Sequence, residues 1–190
     1  MNTHDAIMAY LEACSIMGWP IKEKLNKGVS RREVRAKLNL AGLGSAFELE
    51  IFWSLMNGVK DESGMIAEFL LVPGYYPLSL VEALEVYSCR PRDEEIWPSN
   101  LFPFLQDGMG HFLTAEVRED DRLSQCVFEH IEGYLPSRQY LSICDLFTTS
   151  REGIDRGIIF VKDQKFLDVD FIKYQEVAAE LNPKVDFWKT

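Results

Sequence analysis

The groups with which this chain could act on another molecule are few and scattered. They are His4, His111 and His130, the cysteines at 14, 89, 126 and 144, and two acidic runs, Asp93-Glu94-Glu95 and Glu116 through Glu119-Asp120-Asp121. His111, Glu116, Glu129 and His130 lie in segments of strand character. Alternation sends His111 and Glu116 to opposite faces there, and does the same to Glu129 and His130, so neither pair builds a metal site or an acid–base couple. Cys126 and His130 share a strand face but would stand about 13 Å apart, too far for a thiolate–imidazole dyad. No Cys-X-X-Cys pair occurs, which removes the zinc-knuckle and redox-dithiol readings, and the four cysteines are too sparse for a disulfide scaffold. The nucleophile-elbow, phosphate-loop, zincin and dinucleotide fingerprints are also missing from the sequence. The expectation is a protein that is not an enzyme and takes no cofactor or metal.

Binding residues are easier to find. The acidic runs read as solvated loops, or as a surface that meets a basic partner and speeds its arrival. Trp97, Pro98, Phe102, Pro103 and Phe104 form an aromatic and proline cluster. Phe102 and Phe104 read as a packed strand entry. Trp97 stays open between packing and a recognition face. Asp107, Gly108 and Gly110 could cradle an ion with backbone amides. The simpler reading is a hairpin turn whose glycines supply positive φ, since the further oxygen ligands of a calcium loop are absent.

The elements that must hold these residues follow from spacing. A helix runs from Asp5 with Ile7, Tyr10, Leu11 and Cys14 on one side. Ser30 with Glu33 reads as a capping box opening a helix through Val34 and Leu38. Ser45 with Glu48 repeats it ahead of the apolar set Phe47, Ile51, Phe52, Leu55 and Met56, and Asn57-Gly58 closes that helix. Met65 to Val72 reads as a short strand closed by Pro73-Gly74. Ser79 caps a helix carrying Leu80, Leu84 and Tyr87, and 90–95 is an exposed loop. Asn100 to Leu105 and His111 to Val117 form a hairpin turning at Asp107-Gly108, with a further strand from Gln125 to His130 beside it. Helix returns at Leu141 to Phe147, Ile158 to Val161 is undecided, and Asp168 or Asp170 caps a last helix ending at Asn182-Pro183. Helices, then a strand meander, then helices predict an α+β fold, with a central, mostly antiparallel sheet flanked by helices.

The chain has 190 residues and no internal repeat or Gly/Ser/Pro-rich linker, so one domain over 1–190 is expected. Asp and Glu outnumber Lys and Arg by 30 to 20, a net charge of −10 with pI near 4.8. That balance argues against direct nucleic-acid binding and against docking on an anionic membrane. No apolar run approaches the roughly 18 residues of a membrane span, and Asp5 stands where a secretory signal carries a base. A cytoplasmic location is expected, as a monomer or a weak homodimer.

The ordered marks also resemble a known family. The helix ending in Asn57-Gly58, the strand into Leu71-Val72-Pro73-Gly74, the string from Trp97 through Pro98-Ser99-Asn100-Leu101-Phe102-Pro103 to Phe104, and Asp107-Gly108-Met109-Gly110 before an apolar strand are similar to the SUKH superfamily. Its Smi-one/Knr-four branch is the nearest, over about residues 30 to 150. The resemblance implies a helix-wrapped sheet without catalytic activity. It also implies a protein partner, since many bacterial members are immunity proteins that neutralise a delivered toxin. A nuclease toxin has a basic cleft, which the acidic runs would suit. The expected contacts are then Trp97, Asp93, Glu94, Glu95, Glu119, Asp120 and Asp121. Asn57, Gly58, Pro73, Gly74, Asp107, Gly108 and Gly110 shape turns. The alternatives are a regulatory scaffold of the cell-wall type and a small-molecule-binding protein.

Overall fold

The computed structural model describes every residue except 45, 61–64, 92, 118–124, 164 and 190. The chain order is α1 (Thr3–Met17), α2 (Ile21–Lys24), β1 (Leu25–Lys27), α3 (Arg31–Leu40), α4 (Phe47–Leu55), β2 (Met56–Val59), β3 (Tyr76–Pro77), α5 (Leu80–Cys89), β4 (Leu101–Gln106), β5 (Phe112–Glu116), β6 (Val127–His130), β7 (Ser137–Tyr140), α6 (Ile143–Asp155), β8 (Ile159–Lys162), β9 (Phe166–Val169) and α7 (Phe171–Leu181). Strands β3 to β7 form one antiparallel sheet in sequence order, and β1–β2 and β8–β9 are two-stranded ladders. The fold is α+β, with a central antiparallel sheet flanked by helices.

Several elements form for the local reasons visible in the sequence. Ser30 Oγ accepts from Glu33 N at the start of α3. Ser79 and Glu82 make a reciprocal capping box on α5, and Asp170 is the residue that caps α7. The β4–β5 hairpin pairs Leu101 with Glu116 and Gln106 with Phe112, and β6 lies beside β5.

Other elements differ from expectation. Helix α4 has no side-chain cap at Ala46; the expected cap, Ser45, lies outside the described residues. A distant residue takes over, since Gln125 Oε1 accepts from Leu49 N at 2.9 Å. Phe47 is exposed rather than part of the buried stripe. Asn57-Gly58 does not close the helix, which ends at Leu55; the pair lies in β2. There Gly58 has φ +75° and its Cα faces the Ser79 backbone so closely that a Cβ would meet Ser79 N at 2.8 Å. Asn57 Oδ1 accepts from Leu80 N, so the pair seats the start of α5. Residues 65–72 form no strand. A 3-10 turn covers Ile66–Glu68, and Val72 bridges Tyr75 around Pro73-Gly74, where Gly74 has φ +83°. Helix α2 and strands β1, β3, β7, β8 and β9 fall where sequence spacing assigns no element.

The core lies between the sheet and the helices. Phe52 meets Trp53, Phe104 and Phe147 at ring-centroid distances of 5.3–6.4 Å. Each of the four tryptophans donates its indole N–H to a main-chain carbonyl: Trp19 to Leu70, Trp53 to Leu78, Trp97 to Leu101 and Trp188 to Gln139. Large rings are thus buried without orphaning their polar atom.

The central polar element is Glu48, only 5% exposed. Its carboxylate accepts from Thr3 Oγ1 (2.6 Å), Gln125 N (2.7 Å), Ile143 N and Cys144 N (both 3.3 Å). These donors belong to α1, the approach to β6 and the first turn of α6. The last two amides are unsatisfied within their own helix, and the dipole there favours a negative charge. Replacing Glu48 by Ala orphans all of them at once. Glu48→Ala is expected to cost more than about 3 kcal/mol, the upper range for a single orphaned buried group, with Glu48→Gln intermediate. Urea midpoints measure this, and a loss for Glu48→Ala below about 1 kcal/mol would contradict the assignment. Gly58→Ala should also destabilise, by roughly 1–3 kcal/mol, from left-handed backbone strain and overpacking on Ser79.

Candidate functional site

The hairpin register brings Glu116 to the loop that carries Asp93, Glu94 and Glu95. Leu101 pairs with Glu116, so the segment entering β4 and the segment leaving β5 lie at one end of the sheet. Ser99 N donates to Glu94 Oε2 at 2.8 Å. The next residue, Asn100, donates through Nδ2 to Glu116 Oε1 at 3.4 Å, and its carbonyl accepts from Val117 N at 2.7 Å. Glu94 and Glu116 are therefore tied to consecutive residues although 22 positions separate them. Asp93 Oδ1 accepts from Glu95 N, and Asp93, Glu94 and Glu95 are all exposed. Asp93 and Glu94 thus shape the loop through one oxygen each and keep acceptor capacity for a donor from outside. Glu119, Asp120 and Asp121 follow β5 in sequence but lie outside the described residues.

Trp97 does not belong to an exposed face. It is 4% exposed, and its ring lies 4.0 Å from His130 and 5.4 Å from Phe112, centroid to centroid. With its N–H spent on Leu101, it anchors the acidic loop to the sheet, and a partner could reach it only by displacing that loop. Its expected contact role is therefore corrected to support of the loop; an apolar ring over sheet residues gains more from burial than from exposure. Phe102 and Phe104 are core residues, as expected.

Asp107, Gly108 and Gly110 make the hairpin turn. Asp107 Oδ1 accepts from Met109 N and His111 N, and Oδ2 lies 2.9 Å from His111 Nδ1. Gly108 and Gly110 have φ of +83° and +97°. The turn thus occupies Asp107 internally. Among the described residues no group of three or more His, Cys, Asp or Glu is placed to hold a metal ion. Burial pushes the Cys14 thiol up to about 11 and raises that of Cys144, the opposite of a poised thiolate.

One feature escaped sequence reasoning altogether. A cleft of about 120 Å³ opens between the sheet and the C-terminal elements. Its lining includes Tyr75, Glu129, Gln139, Tyr140, Tyr174 and Trp188. Glu129 Oε1 accepts from Tyr75 Oη at 2.6 Å and Oε2 from Gln139 Nε2 at 2.8 Å. Tyr140 and Tyr174 join hydroxyls at 2.9 Å, with Ser150 Oγ 3.3 Å from the latter. Burial raises the Tyr75 phenol above its ordinary value and the Glu129 charge raises it further, so it remains a donor. These residues come from segments a hundred positions apart and share no local spacing, so no motif marks them.

The chain matches no family model, and no curated protein matches it. No helix among the described residues is long and apolar enough to cross a membrane.

His130 supplies a pH dependence. Burial lowers its pKa from the usual 6.5, Glu132 opposes that shift and His111 adds to it. The unfolded chain then takes up this proton before the folded one does. Stability contributed by neutral His130 is complete above pH 6.5 and declines as pH falls below it. Between pH 7.5 and 5.5 the wild type should lose more stability than His130→Phe, by up to about 1.4 kcal/mol per pH unit for one proton. Urea midpoints at both pH values test this, and equal losses would refute it.

Proposed function

We propose that this chain is a non-enzymatic, cytoplasmic protein-binding domain, an immunity protein that neutralises a basic toxin such as a nuclease by direct contact. The observation that supports this reading is that exposed Asp93, Glu94 and Glu95, on a loop anchored by Trp97, lie at the same end of the sheet as Glu116. A fixed array of carboxylates can take the place of a phosphate chain in a basic cleft. Pre-ordering that array lowers the entropy lost on binding. The net charge of −10 adds long-range attraction for a cationic partner. The resemblance of the string from Trp97 to Gly110 to the SUKH superfamily supports the same reading; the marks at 57–58 and 71–74 do not lie in the elements that resemblance implied.

The test is co-precipitation from the lysate of the source cells, washed at low and at high salt and read by mass spectrometry. One stoichiometric partner with a basic domain, released by salt, is expected. Asp93→Asn, Glu95→Gln, Glu119→Gln, Asp120→Asn and Asp121→Asn together should slow association with that partner at least about tenfold at low salt. A partner held equally well by the five-fold variant and in high salt would defeat the electrostatic reading. Several endogenous envelope or signalling proteins would assign the chain to a regulatory scaffold instead.

A further inference from the structure

The cleft beside β6 and β7 carries a charge without a counter-charge. Among the described residues Glu129 is the only carboxylate in its lining, and no Lys, Arg or His lines it. Among the described residues Glu129 makes hydrogen bonds to Tyr75 and Gln139 but no ion pair. It is half-buried. Each of its oxygens receives one hydrogen bond, and a carboxylate has about four acceptor positions. Around it stand six aromatic rings: Tyr75, Tyr140, Phe171, Tyr174, Phe187 and Trp188. Trp188 packs against Tyr140, Tyr174 and Phe187 at centroid distances of 5.5, 5.9 and 4.7 Å, which holds the wall in place.

The remaining polar groups are mutually engaged. Tyr140, Tyr174 and Ser150 form one chain of hydroxyls, the Gln139 carbonyl receives Trp188, and the Tyr75 hydroxyl and Gln139 amide both face Glu129. The Ser150 and tyrosine hydroxyls and the Gln139 amide leave some neutral hydrogen-bonding capacity, but the only formal charge in the lining among the described residues is that of Glu129. A phosphate or carboxylate ligand would meet that charge with no cation in the lining to offset it. A cation gains twice, from the Glu129 charge and from the negative faces of the rings, and both attractions strengthen away from bulk water.

We propose that this cleft binds the head of a small alkylammonium, its charge meeting Glu129 and its carbon substituents packed on the aromatic wall. The volume of about 120 Å³ sets the size: a cavity of about 150 Å³ accepts a six-carbon ring, so the head holds about five heavy atoms, as a trimethylammonium-methylene group does. This site is separate from the acidic end of the sheet and stands or falls without it. The ammonium could belong to a free amine or to a lysine side chain on a protein.

Calorimetry on the full chain distinguishes these cases. Choline and butylammonium are the free-amine probes, an Nα-acetyl-lysine amide is the side-chain probe, and 3,3-dimethylbutan-1-ol is the uncharged counterpart of choline. At least one ammonium probe should bind saturably, and choline should bind at least ten times more tightly than its neutral counterpart. Tighter binding of the lysine derivative than of butylammonium would place the source on a protein, and the reverse order a free amine. Glu129→Gln should lose at least tenfold for the ammonium probes. Phe171→Ala, at an exposed ring on the lining (61% exposed), should fold normally and lose a smaller factor. If Glu129→Gln fails to fold, the choline comparison in the wild type decides alone. Equal binding of choline and the neutral alcohol, or no saturable binding of any ammonium probe at tens of millimolar, would overturn the proposal.

Discussion

The Glu48 carboxylate is the point at which four parts of the chain are held to one another. It sits on α4, takes a hydroxyl from α1, an amide at the approach to β6 and the two leading amides of α6. All four donors are neutral. Burying a carboxylate costs several kcal/mol in desolvation, which the four hydrogen bonds offset. What the arrangement supplies is specificity. The helix N-terminus, the strand entry and the N-terminal helix must all reach one point, and any other packing leaves a buried charge unpaired. The approach to β6 is then fixed at Gln125, whose own side chain caps α4 in return. Once β6 is placed, so is Glu129.

The same sheet presents two different chemistries. Residues pairing across β5 and β6 alternate in direction, so Leu113 and Glu129 share one face while Phe112 and His130 share the other. Glu129 faces the aromatic cleft, and His130 lies under Trp97. Trp97 in turn fastens the loop that carries Asp93, Glu94 and Glu95. The acidic end of the molecule and the aromatic cleft are thus consequences of one strand pairing.

A second buried carboxylate, Glu50, shows how the outer helices join this frame. Arg35 of α3 grips it with two bonds of 2.8 Å, and Arg31 lies at 4.0 Å. Glu50 is fully buried while Arg35 remains over half exposed in its side chain. The pair therefore sits at the boundary between core and water, where the arginine keeps part of its hydration and its fork geometry matches the carboxylate. Helix α3, polar on most of its surface, is held to α4 by this contact together with Val34 and Leu38.

Local chemistry was legible in the sequence wherever a residue's partner lies within a few positions. The caps at Ser30 and Ser79, the Asp107-Gly108 turn and the three strands after Asn100 follow from side-chain reach and strand alternation alone. So does the α+β class. The choice of Asp170 over Asp168 as the last cap comes from the structure. The element boundaries at 56–59 and 65–72 were misread because Asn57-Gly58 and the apolar run before Pro73 have the same local signature in a strand, a turn or a helix end. Only distant contacts select among them: Gly58 lies against Ser79, and the carbonyls of Leu70 and Leu71 accept from Trp19 and Tyr10 instead of a strand ladder. The roles of Glu48, Trp97 and Glu129 were illegible for a stronger reason. Each depends on at least one donor or ring more than ten positions away in sequence, and no spacing rule encodes a contact that only the folded chain makes.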